Sequence, residues 1–295
     1  MDTLMDVATL RDRIDSGRRT VLLDVRWALG DPHGRDHYRK GHIPGAVFVD
    51  LATELAGPAE PRRGRHPLPP LEQFQASVRR WGVRGGDVVV AYDDSGNMSA
   101  ARLWWMLRNA GFRTVHLLDG GLAAWRAAGF GLESGDDGGP AVPPGDAGLS
   151  DTALSEGAMP RIDAGQAAAW GRQGLLLDAR AGARYRGEIE PVDPRAGHIP
   201  GAVSAPTTAN LAADGRFLPP EELRERFSRL GVRPGVPTAV YCGSGVTAAH
   251  EIAALDIAGF PAALYPGSFS EWSNDPANDV VTGAAPYAEG SAGGD

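Results

Sequence analysis

The 295-residue chain contains a single cysteine, Cys242. One thiol excludes any intrachain disulfide and any multi-cysteine zinc site, so nothing points to a secreted, disulfide-stapled scaffold. Also missing is any run of the ~18 apolar residues that would cross a membrane. The first residues, Met1-Asp2-Thr3-Leu4-Met5-Asp6, lack the basic start and apolar stretch of a secretory leader. The expectation is a cytoplasmic protein without a membrane partner. Positive charge is in deficit too: 29 basic residues against 37 acidic give a net charge of −8, which argues against nucleic acid as a partner. Seven scattered histidines show no ligand spacing, so neither a metal nor a cofactor is expected. An acidic protein that handles an anion must therefore concentrate its arginines locally.

What is present is a repeat. Leu22-Leu23-Asp24-Val25-Arg26 recurs as Leu176-Leu177-Asp178-Ala179-Arg180, and Gly41-His42-Ile43-Pro44-Gly45-Ala46-Val47 as Gly197-His198-Ile199-Pro200-Gly201-Ala202-Val203, at offsets of 154 and 156. Trp81-Gly82-Val83-Arg84 matches Leu230-Gly231-Val232-Arg233, and the segment Leu118 to Trp125 matches Tyr265 to Trp272. The chain reads as a duplication: a first domain over 1–130, a Gly-, Pro-, Asp- and Ser-rich linker over 131–160, a second domain over 161–283 and a tail over 284–295.

Within the first half, Thr20–Val25, Val47–Asp50, Val88–Tyr92 and Val115–Leu118 have the composition of strands. Val7–Ser16, Leu71–Trp81, Ser99–Ala110 and Gly121–Ala128 have the periodicity of helices. Alternation of the two predicts α/β domains, each a mainly parallel sheet flanked by helices, with ligands at the carboxyl ends of the strands. Cys242 follows the strand Thr238–Tyr241 and opens the loop Cys242-Gly243-Ser244-Gly245-Val246-Thr247 ahead of a helical segment, Ala248–Leu255. Backbone N–H groups and a helix N-terminus both favour thiolate, so this is a position for a nucleophile. Aligning Tyr92 with Tyr241 sets Asp93 opposite Cys242. A carboxylate cannot carry sulfur, so one half is expected to be catalytic and the other not; Asp93 and Asp94 also suit a turn or a helix cap.

Two tandem domains with His-Ile-Pro-Gly-Ala, a cysteine loop in the second alone, and the closing Tyr265-x-Gly-Ser-x-x-Glu-Trp272 resemble the tandem-domain rhodanese superfamily. The loop resembles its 3-mercaptopyruvate sulfurtransferase branch. Thiosulfate-using members are similar but place basic residues after the cysteine, where Gly243 and Ser244 stand. An uncharged loop suits a 2-oxo acid held by arginine at a distance from the sulfur better than a small dianion. Candidates lie in Arg180–Arg186 and at Arg195. The resemblance implies that Arg184 and Arg195 hold the substrate, with Arg186 as a substitute, and that Asp50 and His66 work with Ser244 in proton transfer. Ser244 equally suits a tight turn, and a histidine placed like His66 in a Pro-rich loop is more often an exposed bystander.

The expected reaction is attack of the Cys242 thiolate on the donor sulfur. The resulting persulfide is held by N–H groups of Gly243, Gly245, Val246 and Thr247 and discharged to cyanide or to a thiol such as thioredoxin. Thiosulfate is the alternative donor, and a persulfide relay without a substrate site is a third reading. A Cys-x5-Arg phosphatase is excluded because Ala248 stands where its arginine belongs. His42 and His198 occur in both halves and read as structural; Trp104, Trp105 and Trp272 read as packing residues. A monomer or weak dimer is expected.

Overall fold

The computed structural model describes residues 2–136, 145 and 154–288. Most of the predicted 131–160 linker and residues 289–295 of the predicted tail lie outside them. The chain divides into two compact units: Met1–Gly57, Leu68–Met159 and Leu211–Phe217 form the first, and Pro58–Pro67, Pro160–Asn210 and Leu218–Asp295 the second. Each unit thus takes in a short segment from the other half of the sequence.

The first unit is a parallel sheet of five strands in the order β1-β5-β4-β2-β3: β1 Leu4–Met5, β2 Thr20–Asp24, β3 Val47–Phe48, β4 Val88–Tyr92 and β5 Val115–Leu118. Helices α1 Val7–Asp15, α2 Gly34–Lys40, α3 Leu51–Glu54, α4 Leu71–Arg80, α5 Ala100–Asn109 and α6 Gly121–Ala127 connect the strands. The predicted elements are all present, within two residues at each end. β3 is shorter than predicted because Asp50 turns the chain into α3, its carboxylate accepting the Ala52 N–H at 2.9 Å. β-Branched β4 is buried along most of its length, as a central parallel strand must be.

The second unit repeats the pattern with four parallel strands in the order β7-β6-β8-β9: β6 Leu175–Asp178, β7 Ala202–Ser204, β8 Thr238–Tyr241 and β9 Ala263–Leu264. Its helices are α7 Ala164–Gln173, α8 Gly182–Tyr185, α9 Pro220–Arg229, α10 Thr247–Ile257 and α11 Ser268–Trp272. A capping box between Asp163 and Gln166 fixes the start of α7. From β6 the chain runs outward to β7 and then returns to β8 on the other side, so a crevice opens at the carboxyl ends of β6 and β8. The tail packs back at its start: Gly201 N–H donates to Pro286 O at 2.7 Å and the Tyr287 hydroxyl to Gly171 O at 3.2 Å.

The same internal braces appear twice. Arg26 bonds Asp24 and Gly41 O, while Arg180 bonds Asp178 and Gly197 O. His42 stacks on Tyr38 and His198 on Tyr185, both at 3.8 Å between ring centroids, and each histidine Nδ1 meets the carbonyl of the tyrosine it covers. Burial lowers the His198 pKa against those contacts, in keeping with a neutral ring. These residues build the fold, as their duplication suggests, and Arg180 is thereby withdrawn from the substrate candidates. Trp104, Trp105 and Trp272 are buried packing residues.

Candidate active site

The loop after β8 wraps around the Cys242 sulfur. Gly245, at φ +77°, reverses the chain so that its N–H points at Sγ from 3.1 Å. Among the described residues no protein acceptor takes the N–H groups of Gly243, Ser244, Val246 or Thr247, and α10 begins at Thr247. From behind, Cys242 N–H donates to Ser268 Oγ at 3.1 Å, Cys242 O accepts from Phe269 N–H at 3.0 Å, and Gly243 O accepts from Ser270 N–H at 2.8 Å. The thiol is 2% exposed. Such a loop can hold a thiolate or a persulfide anion by N–H donors alone.

The first unit provides an internal comparison. Asp93 leads the equivalent loop and is fully buried; its carboxylate accepts N–H donors from Ser95 at 2.9 Å, Asn97 at 2.7 Å, Ser99 at 2.8 Å and Ala100 at 3.1 Å. Burial pushes its pKa up while the N–H donors pull the other way. Each of the four bonds is a donor to a carboxylate oxygen, the set an ionised group requires. Asp93 therefore does far more than cap one helix: its carboxylate gathers four N–H donors in the loop that corresponds to that of Cys242.

Beside the cysteine stands a charged net. Arg184, from α8, bonds Glu190 at 2.6 Å and Asp193 at 2.9 Å. Arg65, from the Pro58–Pro67 segment, pairs with the other oxygen of Asp193. A Cβ built on Gly243 would stand 3.0 Å from Arg65 Nη2 and 3.3 Å from Arg184 Nη1, so both guanidinium groups reach the residue following the thiol. Burial raises the Asp193 pKa against Arg65 and Arg184. Burial also acts on Glu190, but the Arg184 hydrogen bond and the N–H groups of Asp193 and Val192 overcome it and hold its pKa below the usual range. His66 Nδ1 lies 2.7 Å from Ser244 Oγ, which brings the predicted His–Ser pair together in the second unit.

Two predicted substrate arginines are placed otherwise. Arg195 spends its guanidinium on four backbone carbonyls, Trp272, Ser273, Asp275 and Asn278, at 2.7 to 3.1 Å; it fastens the turn after α11. Arg186 forms a surface fork with Glu188 at 2.6 and 2.8 Å. Asp50 lies in the first unit as the cap of α3. Sequence reading missed Arg65, Glu190, Asp193, Ser268 and Ser270. Arg65 adjoins His66, and that adjacency was the available signal.

The Rhodanese-like domain family matches residues 6–128 and again 162–275. A Pseudomonas aeruginosa protein with the provisional name 3-mercaptopyruvate sulfurtransferase is 50% identical, over 89% of this chain and 92% of its own length. A Mycobacterium tuberculosis protein provisionally named thiosulfate sulfurtransferase SseB is 46% identical, over 96% and 98%. Among solved structures, SseA from Escherichia coli, described with the rhodanese fold among 3-mercaptopyruvate enzymes, superposes with a TM-score of 0.78 at 32% identity, covering 91% of this chain and 99% of its own.

Proposed function

Because the chain belongs to the rhodanese-like domain family in both of its halves, and its lone thiol opens an N–H-lined loop, we propose that it is a sulfurtransferase that takes sulfur from 3-mercaptopyruvate onto Cys242 and passes it to a thiol or cyanide. The observation that carries the donor assignment is the convergence of Arg65 and Arg184 beside Gly243. Their charges are balanced by Glu190 and Asp193, so the net is neutral while N–H groups still face the loop. Such a net suits the single carboxylate of an oxo acid better than the compact dianion thiosulfate, which gains most from uncompensated cations.

In the first half-reaction the Cys242 thiolate attacks the sulfur of 3-mercaptopyruvate. The S–S bond forms, the C3–S bond breaks, and its electron pair passes to the pyruvate enolate, which is protonated at C3 to give pyruvate. The Ser244–His66 pair, at 2.7 Å, is the proton source we assign to this step. The persulfide stays in the loop, its charge met by the N–H groups of Gly243, Gly245, Val246 and Thr247. In the second half-reaction cyanide or a thiolate attacks the outer sulfur, leaving as thiocyanate or a persulfide and returning Cys242 as thiolate. A reducing compartment, the cytoplasm, with thioredoxin as a thiol acceptor, fits an unpaired thiol in this role.

The name of the M. tuberculosis relative supports thiosulfate as the second reading. Specificity constants for the two donors, with cyanide as common acceptor, decide between them. Thiosulfate exceeding 3-mercaptopyruvate tenfold would overturn the assignment. Arg184→Ala and Arg65→Ala are each expected to raise KM for 3-mercaptopyruvate about 10- to 100-fold, the equivalent of one charge-assisted hydrogen bond of ~1.5–3 kcal/mol. Arg195→Ala is expected to lower the melting temperature instead, with KM in the folded protein unchanged.

A further inference from the structure

Ser268 is one of two non-glycine residues in the described chain with a positive φ, at +54°. It is fully buried, at the first residue of α11. The duplicated position in the first unit is Gly121, with the same φ of +54°. There, a Cβ would run into the carbonyl of Asp93, so glycine is required. The catalytic half keeps the backbone angle, gives up the glycine that makes it easy, and admits a side chain.

That side chain is held by two hydrogen bonds. The Ser268 hydroxyl donates to Tyr265 O at 2.8 Å, and its lone pair accepts the N–H of Cys242 at 3.1 Å. The flanking bond has a counterpart in both halves: Phe269 N–H to Cys242 O at 3.0 Å, and Leu122 N–H to Asp93 O at 2.9 Å. The hydroxyl contact belongs to the half with the thiol. We infer that Ser268 is a positioning residue: by fixing the Cys242 amide it sets the entry angle of the loop, so that the N–H groups from Gly243 to Thr247 converge on sulfur. The inference rests on Cys242 as the sulfur carrier and not on the identity of the donor.

Two full-length variants separate this role from a merely structural one. Ser268→Gly removes the hydroxyl and relieves the backbone; Ser268→Ala removes the hydroxyl and keeps the Cβ at positive φ. Iodoacetamide has a single thiol to modify in this chain, so its rate against pH reports Cys242 directly. In both variants the alkylation rate near neutral pH is expected to fall about threefold or more as the thiolate loses its N–H donors. Turnover should fall about tenfold, with KM for the donor within twofold of the parent. Melting temperatures should diverge, Ser268→Gly lying above Ser268→Ala. A wild-type profile in either variant, or losses confined to the one with the lower melting temperature, would overturn the inference. Because alkylation needs no sulfur donor, a wrong donor assignment leaves this test intact.

Discussion

Cys242→Ser is expected to abolish sulfur transfer from 3-mercaptopyruvate and from thiosulfate alike. A hydroxyl in the same loop would meet the same Gly245 N–H that now stands 3.1 Å from sulfur, but serine cannot form a persulfide, and no second cysteine exists to replace it. The expected loss in kcat/KM exceeds ~10⁴-fold, more than the ~10²–10³ by which a single donor group alters catalysis. The check is thiocyanate release under donor saturation, together with the mass of the resting protein. Incubated with donor alone, the parent should gain one sulfur atom and Cys242→Ser none. A serine variant that still turned over above a hundredth of the parent rate would remove Cys242 from the mechanism.

Asp93→Ala should be strongly destabilising to the first unit. The four N–H groups of Ser95, Asn97, Ser99 and Ala100 converge on its buried carboxylate, and truncation removes the acceptor from all of them. At ~1–3 kcal/mol for each buried donor left unmade, the expected loss is about 4 kcal/mol or more, a large part of the ~5–15 kcal/mol that separates folded from unfolded chains. Asp93→Asn, which keeps one oxygen and turns an amide toward the remaining donors, should lose about half as much. Thermal unfolding measures both. If Asp93 were an ordinary turn residue, Asp93→Ala would cost under ~1 kcal/mol.

The parts of this molecule that could be read from sequence are those in which neighbours along the chain decide the outcome. β4 and β8 are β-branched or aliphatic runs, their helices follow within a few residues, and the cysteine loop lies between them; local composition was sufficient there. β1 is two residues long and exists because β5 pairs with it, so nothing in Leu4–Met5 alone distinguishes it. Arg65 was missed because its partner Asp193 lies 128 positions away. Arg195 illustrates the complementary reason: its position after Asp193 suggests a substrate ligand, while its guanidinium is drawn to the carbonyls of residues 272–278. Charge and position can be seen in a sequence; the direction in which a long side chain is drawn is set by distant backbone.

The segment Pro58–Pro67 has a consequence for where the chain can be divided. It brings Arg65 and His66 to the second unit, although it is encoded within the first half. In exchange, Leu211–Phe217 closes against the first unit through the Phe217 N–H bond to Asp119. Neither half of the sequence alone therefore encodes a complete unit. A gene ending or starting at the junction would encode a cysteine half deprived of one arginine and its histidine. The half of the sequence without the cysteine therefore encodes two of the side chains that stand around the cysteine loop.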